Sequence, residues 1–230
     1  MPLDFYRDPL FGQTMITLMA AAVLVLQITA VAQKSIVANI YVFAVQSFLL
    51  AAIANTIAWF NHAPHIYVAA LLTFLLKSLV LPAILLKLVE RIQIEHELKP
   101  LLNVPVSVLV SGLLTLLAYV IAEPLQHGAP ASGPASLGHN TLPVAVALFL
   151  IGFFLMANRR KALSQVLALL SLENGLFLAA ISLTYGMPMI VEIGVFFDVL
   201  VAVLVLAILV GRIRDAFDSM DVTRLSRLRG

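Results

Sequence analysis

The sequence contains no cysteine. That absence excludes disulfides, thiolate-held metals and cysteine-ligated iron–sulfur clusters. Charge is scarce as well: Asp, Glu, Lys and Arg together make up 11% of 230 residues, where a soluble domain carries about a quarter. No glycine-rich phosphate loop and no serine–histidine pattern of a hydrolase is present. The net charge of +2 is small, and no nucleic-acid partner is expected. The opening "MPLDFYRDPL" carries Asp4, Arg7 and Asp8. No small-residue cleavage site follows a short apolar core, so the first apolar run reads as a retained span rather than a signal peptide. What fills the chain is apolar: 62% of residues are hydrophobic and the mean hydropathy is +1.04. This is the composition of an integral membrane protein.

A bilayer core takes about 20 apolar residues per helix. Seven windows qualify, near 11–31, 36–60, 66–88, 103–122, 141–157, 162–184 and 188–211. The expected fold is therefore all-α and polytopic, with seven transmembrane helices. The basic residues set its orientation. Lys34 follows span one; Lys87, Arg91 and Lys99 follow span three; Arg159, Arg160 and Lys161 follow span five; and Arg212, Arg214, Arg224, Arg227 and Arg229 follow span seven. The connections after spans two, four and six have no Lys or Arg. Cationic loops mark the cytoplasmic side, so the N-terminus is expected outside and the C-terminus in the cytoplasm. Six or eight spans would break the alternation.

Residues 123–140, "EPLQHGAPASGPASLGHN", form the one long Gly/Pro/Ser-rich connection. They divide the chain into an N-terminal four-helix half (1–123), an external loop (124–140), a three-helix half (141–211) and a cytoplasmic tail (212–230). Sliding the chain by 127 residues puts Lys34 on Lys161, Gln46 on Glu173, Leu49 on Leu176 and Ala52 on Ala179. Spans one to three and five to seven would then be parallel repeats, although few positions match. The tail mixes Arg with Asp215, Asp218 and Asp221 and carries an apolar side. It suits docking on a protein neighbour or lying on lipid headgroups.

Four ionisable groups lie inside spans. Lys77 is near the middle of span three, and Glu173 is at the centre of "LLSLENGLFLAA" in span six. Glu192 is about one turn into span seven, and Asp198 is near its centre. A residue at mid-span is roughly 15 Å from either interface, farther than lysine snorkels. A central charge facing lipid costs about 2.5–3.5 kcal/mol on insertion scales, so these groups should face the protein interior or a hydrated cavity. Lys77 can pair with one carboxylate as a packing device, but one lysine leaves two carboxylates over. Buried carboxylates and lysines that exchange protons are what a relay requires, which makes Glu173 a candidate proton-handling group. Gln46 and Asn174 are supporting polar residues able to bond across helices. His62 and His65, at i,i+3 spacing with no third ligand, do not read as a metal site.

The runs "SLENGLFLAA", "PMIVEIGVFFDVLVAVLVLAILVGRI", "MDVTRLSRLRG", "FLLKSLVLP" and "YVFAVQSFLLAAIA" resemble component E of group 4 membrane-bound hydrogenases, the hydrogenase-4 component E family. The last three spans are also similar to the small three-helix K subunit of respiratory complex I and to its counterpart in multisubunit cation/proton antiporters. By that likeness Glu173 takes the place of the second-helix glutamate, and Asp198 that of the third-helix glutamate with aspartate substituted. Glu192 is extra to that pattern, and Lys77 falls outside it. The resemblance implies a membrane-arm subunit of the inner (cytoplasmic) membrane with no cofactor and no active site of its own. Its expected partners are antiporter-like membrane subunits, nickel–iron hydrogenase-like and iron–sulfur subunits, and the lipid bilayer. Its expected role is proton or sodium translocation coupled to redox chemistry elsewhere in the complex. A purely structural membrane bridge and a stand-alone secondary transporter are the alternatives.

The alternation of basic connections makes a direct prediction. Topology reporters fused at Gly230 and within residues 128–138 should report opposite sides of the membrane; the same side for both would break the seven-span count.

Overall fold

A computed structural model of the chain describes residues 9–62, 64–92, 101–127 and 139–184. Among these residues every regular element is helical. Helix α1 spans Pro9–Ala32 and α2 spans Ile36–Asn61. Helix α3 (Pro64–Leu72) runs through a π-helical segment (Thr73–Val80) into α4 (Leu81–Ile92). Helix α5 covers Val104–His127, a short 3-10 turn covers His139–Thr141, α6 covers Leu142–Asn158 and α7 covers Ala162–Thr184.

Five helices are long and apolar enough to cross a membrane: Leu10–Ala32, Ile36–Asn61, Ile66–Glu90, Val104–Leu125 and Leu163–Leu183. The chain is thus a multi-pass membrane protein. Helix α6 is apolar but has 17 residues, the lower limit of the usual range of about 17–25. These six helical stretches follow the first six expected spans. Helix α5 runs on past the expected end at 122, through Pro124 to His127. Proline so near a helix end removes only a terminal hydrogen bond. The expected seventh span, the tail and residues 128–138 lie outside the described residues.

Local chemistry explains the ends. Ser35 caps α2, its hydroxyl accepting from the Ala38 N–H at 3.4 Å. Such a cap satisfies one of the free donors at a helix N-terminus. His62 closes α2 in the left-handed region, with φ 49° and its own N–H bonded to the Ala58 carbonyl. Arg159 closes α1. It follows α6 directly, in a connection where sequence places a solvated cation, yet it is buried. Its Nη2 donates to the carbonyls of Ala30, Val31 and Gln33 at 3.1–3.2 Å. A guanidinium can serve several of the unpaired carbonyls at a helix C-terminus, where the dipole also favours a cation. Asn158 positions α5: its Oδ1 accepts from the Leu102 N–H at 2.9 Å and its Nδ2 donates to Ser107 Oγ at 3.1 Å.

Helix α2 is the hub and packs against α1, α3, the π segment, α4 and α7. Helix α7 packs on α6 and α2, and α6 packs on α5 and α1. The 127-residue offset equates α2 with α7, and these two helices lie against each other. One aliphatic cluster, including Ile16, Leu50, Ile57, Ile66, Leu148 and Leu178, joins α1, α2, α3, α6 and α7. A second, including Ile36, Ile40, Leu85, Leu163 and Leu170, joins α2, α4 and α7. The helices on either side of the Gly/Pro-rich loop therefore share one core. Helix α5 is peripheral, with Leu109, Leu113, Leu116 and Val120 exposed, as suits a lipid-facing surface.

Gly175, beside the central glutamate, has the look in sequence of a residue that loosens its helix. In the structure it is a contact point. A Cβ at Gly175 would stand 2.7 Å from the Phe149 backbone nitrogen, and one at Gly152 would stand 2.7 Å from Leu172 Cα. The α6 and α7 backbones approach so closely because neither site has a side chain, which is how membrane helices gain packing energy. Gly175→Val should force α6 and α7 apart at an overpacking cost of about 1–3 kcal/mol. The expected result is a lower thermal unfolding temperature in detergent, whereas Gly112→Val, at a site with nothing within 4 Å, should leave it unchanged.

Candidate functional site

The π segment places Lys77. In it the chain bonds five residues back rather than four; the Leu81 N–H reaches the Leu76 carbonyl. Pro82 follows and has no N–H to offer. The widened turn and the proline occur together, and π segments are frequent at functional sites. Lys77 is 1% exposed and Glu173 4%. Lys77 Nζ lies 3.6 Å from Glu173 Oε1, joining the third span to α7. That spacing is a Coulombic contact rather than a good hydrogen bond. Nζ also donates to Asn174 Oδ1 at 3.4 Å and sits 5.7 Å from the centroid of the Phe177 ring. The ring face adds a cation–π attraction, about 2 kcal/mol when desolvated.

These contacts matter because the pair alone does not balance its burial. At an effective dielectric of about 20, two charges about 4 Å apart attract by about 4 kcal/mol. The desolvation penalty is several kcal/mol for each ion. The remainder has to come from surrounding dipoles. Asn174 supplies the first of them, and α2 and α1 continue the series. Asn174 Nδ2 donates to Gln46 Oε1 at 3.3 Å and to Ser47 Oγ at 3.2 Å. Gln46 Nε2 donates to Gln27 Oε1 at 2.8 Å, and Ser171 Oγ donates to the same oxygen at 2.5 Å. A continuous polar seam thus crosses four helical segments at mid-bundle.

Of the residues singled out in sequence, Lys77, Glu173, Gln46 and Asn174 come together in this seam. Glu192 and Asp198 lie outside the described residues. Gln27, Ser47 and Ser171 went unnoticed in sequence. A signal for Gln27 was available, since it interrupts the apolar run "VLVLQITA" of α1. Ser171 stands three residues before Asn174, on the same face of α7.

The fold and this seam define a class: a polytopic helical membrane protein with a neutralised ion pair and an amide network in its interior. Comparison with known proteins narrows it. The chain is 39% identical over 155 residues to an uncharacterized protein of Mycobacterium tuberculosis, covering 67% of this chain and 68% of that one. It is 26% identical over 220 residues to hydrogenase-4 component E of Escherichia coli, covering 95% of this chain and 99% of that one. The match to hydrogenase-4 component E of Shigella flexneri has the same identity and coverage. No family model and no solved structure matches the chain. The chain is thus similar to hydrogenase-4 component E over nearly the whole length of both.

Because each charge is buried, removing one partner should be worse than removing both. Lys77→Met should destabilise the detergent-solubilised protein by about 3–5 kcal/mol. Lys77→Met combined with Glu173→Gln should recover part of that loss in a thermal unfolding series. A double change that costs the sum of the Lys77→Met and Glu173→Gln single changes would mean that the two groups do not interact energetically.

Proposed function

We propose that this chain is a membrane-arm subunit of a group 4 hydrogenase-type, complex I-like assembly in the inner (cytoplasmic) membrane. In this reading it spans the bilayer seven times, with the N-terminus outside and the C-terminus in the cytoplasm. Its three-helix half (141–211) is the part akin to the K subunit of complex I. It contributes buried ionisable groups to proton or sodium translocation and leaves redox chemistry to nickel–iron and iron–sulfur subunits. Antiporter-like subunits are its membrane neighbours, and the tail (212–230) docks on one of them. The observation that carries the reading is the Lys77–Glu173 pair, 3.6 Å apart and embedded in a seam of amides and hydroxyls. A carboxylate beside a lysine, both out of bulk water, is the chemistry of a proton relay. Glu173 is the primary proton-handling group. Lys77 sets the charge balance around it, while Asp198 and Glu192 extend the path in the seventh span.

A second reading has a specific observation behind it. The same contact ties the third span to α7, and a buried pair can serve as a packing device. The protein would then be a structural bridge between antiporter-like subunits and the catalytic arm.

Glu173→Gln separates the two, since it keeps shape and removes the titratable proton. The complex should assemble and its redox turnover with an artificial electron carrier should survive. Proton or sodium uptake in membrane vesicles, driven by the native reaction, should fall about tenfold or more, a barrier increase of at least about 1.4 kcal/mol. Wild-type uptake in this variant would leave the structural bridge as the better account.

A further inference from the structure

The surroundings of Glu173 restrict which cation its carboxylate can accept. A metal cation that leaves water inside a membrane protein has to trade its hydration shell for oxygen ligands. Sodium-binding transporters take many of these from carbonyls of unwound helices at mid-membrane. Among the described residues no such break lies beside Glu173 on its own helix or on α2. Helix α2 runs unbroken from Ile36 to Asn61, and α7 from Ala162 to Thr184. Their main-chain carbonyls at this level are therefore spent within the helices. The π segment of the third span shifts its ladder to five residues back, but the span continues through it. The ligands of a metal ion would have to come mostly from side chains.

The side-chain oxygens of the seam already serve donors. Asn174 Oδ1 accepts from Lys77 Nζ at 3.4 Å. Gln46 Oε1 and Ser47 Oγ accept from Asn174 Nδ2 at 3.3 and 3.2 Å. Gln27 Oε1 accepts from both Gln46 Nε2 and Ser171 Oγ. An ammonium only donates, and an amide carries its acceptor and its donors on opposite arms, so these orientations depend on one another. Turning the Asn174 oxygen to a metal ion would bring its NH2 against Lys77. Turning the Gln46 oxygen would take an acceptor from Asn174. Buried donors that lose their acceptors are costly. Lys77 Nζ itself stands 3.6 Å from Glu173 Oε1, so a metal ion would have to share the carboxylate with the ammonium. A cavity opens beside the seam, lined by Asn39, Gln46 and Ser171 with apolar neighbours. Its volume is about 10 Å³, and neither Lys77 nor Glu173 lines it. That is room for about one water, not for a hydrated ion.

A proton makes none of these demands. It adds to a carboxylate oxygen of Glu173 and leaves from it, needs no shell of ligands and lets the amide series stand as it is. We propose that the ion exchanged at Glu173 is the proton, and that the Lys77 ammonium and the committed oxygens around it shut sodium out. This inference names the ion for the translocation role proposed above for Glu173 and rests on that role.

The test uses the assembled complex in membrane vesicles, driven by its native reaction. Proton uptake is read with a pH-sensitive dye. Sodium uptake is read with radioactive sodium in the presence of a protonophore, so that sodium moved by a proton gradient does not count. The Glu173-dependent part of each is the difference between wild type and Glu173→Gln, in which ion paths of neighbouring subunits cancel. Glu173→Gln should lower proton uptake about tenfold and leave sodium uptake unchanged. The Glu173-dependent proton uptake should keep its rate when choline replaces sodium at equal ionic strength. Should Glu173→Gln fail to assemble, Glu173→Asp takes its place, with a smaller loss of proton uptake that is likewise indifferent to sodium. A Glu173-dependent sodium uptake under protonophore, or a Glu173-dependent proton uptake that disappears in choline, would overturn the assignment and leave the translocation role standing. Wild-type uptake of both ions in the variant would remove the role itself, and the assignment with it.

Discussion

The interior of this bundle is arranged around the penalty of keeping two opposite charges out of water. Lys77 and Glu173 are too deep to snorkel, so neutralisation has to come from side chains. The pair supplies part of it, and the Phe177 ring face and the Asn174 oxygen supply more. Every other buried polar residue in the seam is a consequence of that first choice. An amide that turns its oxygen to a lysine leaves an NH2 needing a partner, and in hydrocarbon there is no solvent to provide one. Gln46 and Ser47 answer on α2, and Gln27 answers on α1. The seam therefore ties helices from both sides of the long Gly/Pro-rich connection into one unit, alongside the aliphatic clusters.

Packing and site geometry meet on α7. One stretch of this helix carries Glu173 and Asn174 toward α2 and the third span, while Gly175 lets α6 lie against its other side. Because the α6 contact is backbone against backbone, α7 has little freedom to rotate. The carboxylate is held at one azimuth, and the flexible partner is the long lysine side chain reaching from the π segment. The site is thus stiff on the carboxylate side and adjustable on the ammonium side.

Much of this was legible in sequence, for identifiable reasons. Apolar windows of membrane length locate helices because the bilayer allows few other structures, and the six that can be compared fall close to their expected limits. The ionisable residues stood out because charge is so rare here; Lys77 and Glu173 are indeed buried and paired. Three things were not legible. Gln27 and Ser171 are ordinary in a membrane helix until their neighbours are known, and only the fold brings α1 beside α2 and α7. A glycine beside a buried glutamate suggests flexibility in sequence, whereas the packing partner of Gly175, Phe149, lies on another helix. Arg159 reads in sequence as one of the cationic connection residues, but its buried role as the cap of α1 depends on a contact some 130 residues away in sequence.

The distances bear on which role the central pair serves. A buried ion pair that holds a fold together needs good geometry, because only close, hydrogen-bonded contacts offset desolvation. At 3.6 Å to the carboxylate and 3.4 Å to the amide, Lys77 makes neither contact tightly. The ring at 5.7 Å attracts the ammonium without fixing its direction. The ammonium thus takes part in an ion pair, an amide contact and a ring contact at once. A displacement of its flexible stem would change the field at Glu173. On the function proposed above, that sensitivity suits a carboxylate that takes up and gives back a proton; on the alternative reading the same contacts tie two helices together.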